Sequence, residues 1–384
     1  MNLGDTARRL MGAKRVLVFR PGYLGDTVVA LPAFRVIANK FNDAEIRVLT
    51  QFNEDPKAAP LAQVLERTGL VHGYIRYPPG VRNLDSVSKM RRDIREFSPD
   101  VLVYLAPPLV GRRKLLRDAV FFRLCGIRTL IGLPYEVELR QPLQLSDGLF
   151  EYEGLRLLRC LKSLGKIDLN SPSAFDLKLT ETDASAAHRS LKTLPPDSPI
   201  LALSIGAKVD VKDWGDENWR ALVGRLNELL PNWALVAFGA AIERDRSEGL
   251  LAQWRGPKTN LCGRLSVCES AAAIRQARLF LGHDSGPMHL AAAVGTACVA
   301  VFSARQLPGI WYPWGKNNRV IFRDIACRGC NLDVCSQYRK ACIADISVDE
   351  VAQAVLSALN LSDDSFATMS PESASGHNCR RGDI

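Results

Sequence analysis

The chain has no apolar run reaching the roughly 18 residues that a transmembrane helix requires. Its first twenty residues, MNLGDTARRLMGAKRVLVFR, lack a continuous apolar core and a small-residue cleavage site, so no secretory signal is expected. Ten cysteines in 384 residues are too sparse for a disulfide scaffold. They read as cytosolic thiols, apart from one cluster near residue 330. The first loop has no G-x-G-x-x-G, which argues against a dinucleotide-dependent oxidoreductase. No helix-turn-helix, zinc-finger or aromatic-rich strand signature is evident, so a nucleic-acid partner would rest on charge alone.

What remains is an ordinary globular composition, 47% hydrophobic and 24% charged, with a formal net charge of +9. The length suits two or three domains. Lys14–Arg20 reads as a strand, Pro21–Asp26 as a glycine loop, Thr27–Phe41 as a helix and Glu45–Thr50 as a second strand, forming one βαβ unit. Strand-like runs recur at Tyr74–Tyr77, Val101–Leu105 and Thr129–Leu133, separated by helical stretches near Asp85–Phe97 and Arg112–Leu124. From about 165 to 198 the pattern weakens into Ser, Thr, Asp and Pro, as in an interdomain connection. A second alternating series follows, with strands at Ile200–Ile205, Trp233–Phe238, Arg278–Gly282 and Cys298–Phe302 and a closing helix at Ser347–Leu359. The fold class expected is α/β, with two Rossmann-like domains over 1–175 and 176–360 facing a cleft, and a disordered polar tail at 361–384.

Ligands of open parallel sheets sit at the carboxyl ends of the strands. The loops there carry the informative residues. In His283–Ala293 (HDSGPMHLAAA) a strand gives way through Ser-Gly to an Ala-rich helix. Free N–H groups and the helix dipole favour phosphate at such a start. Ser285 adds a hydroxyl, Gly286 allows close approach, and His289 follows one turn later; Asp284 or Ser285 also suits a simple N-cap. Lys208 and Lys212 follow the strand at 200–205 and could neutralise a diphosphate, although Asp210 and Asp213 make a solvated mixed-charge loop an alternative. Glu243, after Phe238-Gly239, suits a ribose acceptor or a helix first-turn acid equally well. In the first loop, Asp26 at the helix start argues against a pyrophosphate there. It suits a general base, or again an N-cap. Cys327, Cys330, Cys335 and Cys342 could be structural zinc ligands or unligated or redox-active thiols.

Three strings, RPGYLGDTVVALP, GAK…KDW with FGAAIE, and GHDSGPMHLAAAVG, together resemble the heptosyltransferase family, the family 9 glycosyltransferases of the GT-B fold. The resemblance runs from about residue 14 to 359. It implies inverting, metal-independent transfer of heptose from ADP-heptose to a lipopolysaccharide-core acceptor. It implies Asp26 as general base, in an acceptor loop with Arg20, Gly22 and Gly25. It assigns Lys212, and with less support Lys208, to the diphosphate, Glu243 to the ribose and Leu265 to the nucleobase. Asp284 would take sugar hydroxyls, Ser285 and Gly286 phosphate, and His289 would support that loop. A relative using another nucleotide sugar for surface polysaccharide fits the same motifs. A non-catalytic anion- or nucleic-acid-binding protein is the rival from another class.

The whole charge excess lies in residues 1–175, with 27 Lys and Arg against 18 Asp and Glu; residues 176–384 hold 23 of each. Lys89, Arg91, Arg92, Arg95, Arg112, Arg113, Lys114 and Arg117 concentrate it. This is a solvated helix face or a surface for an anionic glycolipid at the cytoplasmic face of the membrane. The expected protein is cytoplasmic, with peripheral inner-membrane contact and no nucleic-acid partner.

Overall fold

The computed structural model describes residues 10, 12–52, 59–78 and 83–360, so the tail expected at 361–384 lies outside the described residues. The chain forms two compact units, one running to Lys178 and the next beginning at Leu179.

In the amino-terminal unit the elements run β1 (Arg15–Phe19), α1 (Leu24–Lys40), β2 (Glu45–Gln51), α2 (Ala62–Leu65), β3 (Gly73–Tyr77), α3 (Leu84–Phe97), β4 (Val101–Tyr104), α4 (Arg112–Leu124), β5 (Thr129–Ile131), α5 (Val137–Arg140) and α6 (Glu153–Cys160). All strand pairs are parallel, in the order β3-β2-β1-β4-β5. Val18 sits opposite Val48 on one side and Val103 on the other, which is why RVLVF is a continuous apolar run rather than an alternating one. Thr27–Ile37 of α1 are all buried, and α1 packs along α6. The helix begins three residues before the expected Thr27. Tyr23 takes the N-cap position, and the Asp26 carboxylate accepts a hydrogen bond from the Tyr23 N–H at 2.9 Å. Asp26 is therefore at the third helical position, satisfying a donor of the first turn, and is not the N-cap itself.

In the second unit α7 (Glu181–Leu191) precedes β6 (Ile200–Ser204), a 3-10 turn (Asp210–Lys212), α8 (Asp216–Leu229), β7 (Ala234–Ala237), a 3-10 turn (Ala241–Glu243), α9 (Arg244–Leu251), β8 (Lys258–Asn260), α10 (Val267–Ile274), β9 (Leu279–His283), α11 (Gly286–Ala293), β10 (Cys298–Phe302), β11 (Arg319–Phe322), α12 (Ala341–Ala344) and α13 (Val348–Leu359). The strand order is β11-β10-β9-β6-β7-β8, again with parallel pairs. Leu203, Trp219, Leu222, Leu281 and Val301 belong to its core. Part of the segment expected to be a connection is α7, which packs on α10. Thr180 starts it with a reciprocal cap, its side chain and that of Asp183 each bonding the other's backbone N–H.

Strand order reverses between β1 and β4 in the first unit and between β6 and β9 in the second. At such a switch point, adjacent loops leave toward opposite faces of the sheet and open a crevice at the carboxyl ends of the strands. His283 closes β9 at that position in the second unit. It is fully buried, its rings lie edge-on to Trp219, and its Nε2 accepts the Trp214 N–H at 3.0 Å. An accepting nitrogen requires the neutral ring, and burial lowers its pKa to about 4. Because the unfolded chain protonates this histidine near pH 6.5 and the folded chain does not, stability is lost as pH falls from about 6.5 towards 4. The loss expected from this residue is about 1 kcal/mol per pH unit. Urea unfolding of His283→Asn at pH 6.5 and pH 5 should show that much less slope than the parent chain; equal slopes would mean His283 titrates normally.

Candidate active site

The carboxyl ends of β6, β7 and β9 bring together most of the residues expected to hold a donor. Asp284 follows β9 and is nearly buried; its Oδ2 pairs with Lys212 Nζ at 2.6 Å, and His289 Nε2 lies 4.0 Å from its Oδ1. Ser285 is the N-cap residue of α11, yet its hydroxyl makes no capping bond. That oxygen is buried without a hydrogen-bond partner among the described residues. Pro287 occupies the first turn of α11, a position whose N–H would have no intrahelical acceptor. A lysine, an unpartnered hydroxyl and a helix start thus converge around one carboxylate. The first two can donate to an anion, and the third adds the positive end of a dipole.

Lys212 is held in place from behind. Val211 donates its N–H to the Asp333 carbonyl at 3.1 Å, and Lys340 Nζ reaches Asp210 Oδ1 at 3.1 Å and the Asp213 carbonyl at 3.4 Å. Arg246 grips Asp213 at 2.8 and 2.9 Å and the Ile205 carbonyl at 3.3 Å. Burial works against the Asp213 carboxylate, but the Arg246 hydrogen bonds outweigh it and hold its pKa below the usual range. The aspartates that made this loop look like a solvated mixed-charge stretch are therefore consumed by structural partners. Lys208 is exposed on the same loop.

Glu243 ends its 3-10 turn with Oε2 accepting the Ala240 N–H at 2.7 Å. Its carboxylate occupies the space where a Cβ would stand on Gly206 and on Gly239. Both glycines end strand-to-loop turns, so the acid lies across the tips of β6 and β7. Leu265 is half-buried in the segment before α10.

In the amino-terminal unit, Asp26 stands at the start of α1, half-buried. Gly22 has φ +137°, and a Cβ there would come within 2.6 Å of the Asp26 Cβ, so only glycine fits this turn. Gly25 lies in the first turn of α1. Arg20, expected in the acceptor loop, is fully buried at the base of that loop. Its guanidinium donates to the Asp26 carbonyl at 2.8 Å and the Leu105 carbonyl at 3.3 Å, and lies 3.9 Å from Glu153. Glu153 is itself completely buried and takes a two-pronged bond from Arg156 at 2.7 and 2.8 Å. Arg156 also donates to the Ala106 and Leu139 carbonyls at 2.6 and 3.0 Å. Burial lowers the Arg20 pKa while Asp26 and Glu153 push it back up; burial raises that of Glu153 against the two guanidiniums. Glu153 and Arg156 escape the sequence reading because a charged pair three apart on an amphipathic helix looks like a solvated face.

Cys327, Cys330 and Cys335 are half-buried and Cys342 is buried. Among the described residues, no group of three or more His, Cys, Asp or Glu side chains is arranged to hold a metal ion. The four thiols expected as candidate zinc ligands still lie near one another: burial first, and then the neighbouring Cys327, Cys330 and Cys335, push the Cys342 thiol up. Their segment also supplies Asp333 and Lys340 to the Lys212 loop.

A model of glycosyltransferase family 9 (heptosyltransferase) matches residues 114–340. Lipopolysaccharide heptosyltransferase 1 of Pseudomonas aeruginosa is 28% identical over 166 residues, which is 42% of this chain and 45% of that protein. The chain thus spans under half the length of this curated relative. Among solved structures, a family 9 glycosyltransferase from Veillonella parvula superposes with a TM-score of 0.68 at 17% identity, covering 90% of this chain and 97% of its own. The E. coli ADP-heptose lps heptosyltransferase II gives 0.60 at 18% identity, covering 90% and 98%. These likenesses carry the two-unit α/β architecture of the GT-B fold. The family match covers more than half of the chain, and the chain belongs to glycosyltransferase family 9, the heptosyltransferases.

Proposed function

We propose that the protein transfers heptose from ADP-heptose to a lipopolysaccharide-core acceptor, by an inverting, metal-independent displacement. The observation that carries this reading is the convergence of Lys212, the unpartnered Ser285 hydroxyl and the α11 start around Asp284. In it, the second unit, from Leu179 onward, binds the donor. The diphosphate sits at the α11 start, drawing Lys212 away from Asp284. Freed of that partner, Asp284 accepts the sugar hydroxyls, with His289 supporting the loop. Glu243 takes the ribose hydroxyls and Leu265 lies against the base, with Lys208 adding charge at the rim. The adenine and the heptose come from the family and from the donor named for the E. coli relative.

The first unit, running to Lys178, binds the acceptor. Asp26 removes the proton of the attacking hydroxyl as that oxygen bonds to the anomeric carbon from the face opposite the leaving diphosphate. The bond between anomeric carbon and phosphate oxygen breaks with its electron pair leaving on ADP. Lys212 and the helix start carry the charge that develops there. In this scheme the protein works in the cytoplasm, with peripheral contact at the inner membrane where its lipid-linked acceptor resides.

The test is ADP release by the purified chain, which should require both ADP-heptose and acceptor. Release without acceptor, or none with both, would overturn the reading. Asp26→Asn should lower kcat by about 100- to 10,000-fold while leaving ADP affinity unchanged by calorimetry. Near-normal turnover would remove the general-base assignment. Lys212→Ala should weaken ADP binding by about 10- to 100-fold, the contribution of one charge-assisted contact; unchanged affinity would exclude contact with the diphosphate. For Glu153→Gln, the buried guanidiniums of Arg20 and Arg156 lose the carboxylate they share. Thermal unfolding should show a loss of about 3–5 kcal/mol. The variant's kcat should fall while its ADP affinity holds, and an unchanged kcat would mean the cluster does not position Asp26.

A further inference from the structure

Helix α4 carries two apolar stripes where a surface helix normally carries one. Leu115, Ala119 and Phe122 are buried in the core of the amino-terminal unit. Leu116, Val120 and Leu124 recur every four residues on another face and are 48%, 58% and 58% exposed. At 1.5 Å per residue this second stripe runs for about 12 Å. The neighbouring helix α3 carries a single exposed apolar residue, Leu84, at its start; Lys89, Arg91, Arg92, Arg95 and Glu96 are exposed farther along it.

The exposed charge on α4 itself has one sign. Arg112, Arg113, Lys114, Arg117 and Arg123 are exposed on the same helix. Its single acid, Asp118, is buried and already engaged, accepting from the Tyr104 hydroxyl at 2.7 Å and from the Arg117 guanidinium. At the far end, Arg91 of α3 donates to the Leu124 carbonyl at 3.3 Å, which extends the basic field past the last stripe residue.

We propose that this face of α4 docks on the anionic surface of a lipid bilayer. Leu116, Val120 and Leu124 enter the boundary between headgroups and acyl chains, and the flanking arginines pair with headgroup phosphates. Charge complementarity selects this occupant. Pairing the face with a second copy of itself would set two rows of arginine against each other, whereas an anionic headgroup layer neutralises them. The inference deepens the membrane contact of the proposed function and rests on it for the lipid-linked acceptor.

Flotation of the full chain with phosphatidylcholine vesicles containing about 30% phosphatidylglycerol tests it. The protein should float with these vesicles and not with phosphatidylcholine alone. The bound fraction should fall about tenfold in the triple variant Leu116→Ser, Val120→Ser, Leu124→Ser, and by a similar factor in Arg112→Glu, Arg113→Glu. ADP affinity should be unchanged in both, which also certifies that they fold. Flotation that is absent in the parent chain, or unchanged in either variant, overturns the docking surface. So does light scattering that shows the parent as a dimer and the serine variant as a monomer, since a second copy would then be the occupant. Loss of ADP binding in the parent chain would instead strike the donor reading and leave the flotation result standing.

Discussion

Three ionised side chains buried together govern the amino-terminal unit. Arg20, Glu153 and Arg156 sit at zero to one per cent exposure, with two positive charges to one negative. Charges taken out of water are tolerated only when geometry and hydrogen bonding compensate their lost hydration. Here the compensation comes from backbone carbonyls as well as from the carboxylate. Arg20 and Arg156 bond the carbonyls of Leu105 and Ala106, immediately after β4, and Arg20 bonds that of Asp26. The two loops that flank the switch between β1 and β4 are therefore fastened to the same charged cluster. The surplus positive charge lies under the Asp26 turn, and Asp26 in turn supports the charged form of Arg20. Relaxing the turn would take the Asp26 carbonyl from a buried guanidinium whose Nε already lacks a partner among the described residues.

The second unit uses the same economy of fixed groups differently. Its loop after β6 is anchored from α9 through Arg246, from β9 through His283 and from the cysteine-rich segment through Lys340. Each anchor engages a neighbour of Lys212, while Lys212 itself pairs with Asp284. Preorganised charge of this kind requires little reorganisation when a leaving group develops its own, which is the main advantage of protein dipoles over water. Under the proposed function, exchange of the Lys212–Asp284 pair for a diphosphate would couple donor-phosphate binding to sugar binding.

Much of the fold was legible in the sequence because both sheets are parallel and buried on two sides. Runs such as RVLVF, ILALS and CVAVF are continuous apolar stretches, and the glycine loops after them mark the carboxyl ends. The strands that were not legible, Lys258–Asn260 and Arg319–Phe322, are short edge strands without a buried face to impose a pattern. The helix signals at Ser266–Glu269 and Ser347–Glu350 were available as capping boxes. Asp284, Ser285, Glu243 and Lys212 were legible because a strand-to-helix junction fixes where such side chains lie. Glu153, Arg156 and Arg246 were not, since their burial is decided by elements distant in the chain, and neither spacing nor composition records it.

Gly206 and Gly239 show what such distant control means for a strand tip. Gly206 and Gly239 have no left-handed backbone to explain them. They are small because the Glu243 carboxylate fills the volume above each of them. What those positions contribute is empty space of a defined shape, and the acid is their occupant. A methyl group at either glycine would leave the sheet intact yet evict the carboxylate from its seat on the Ala240 amide. The acid could thus be silenced from a position that carries no chemistry of its own.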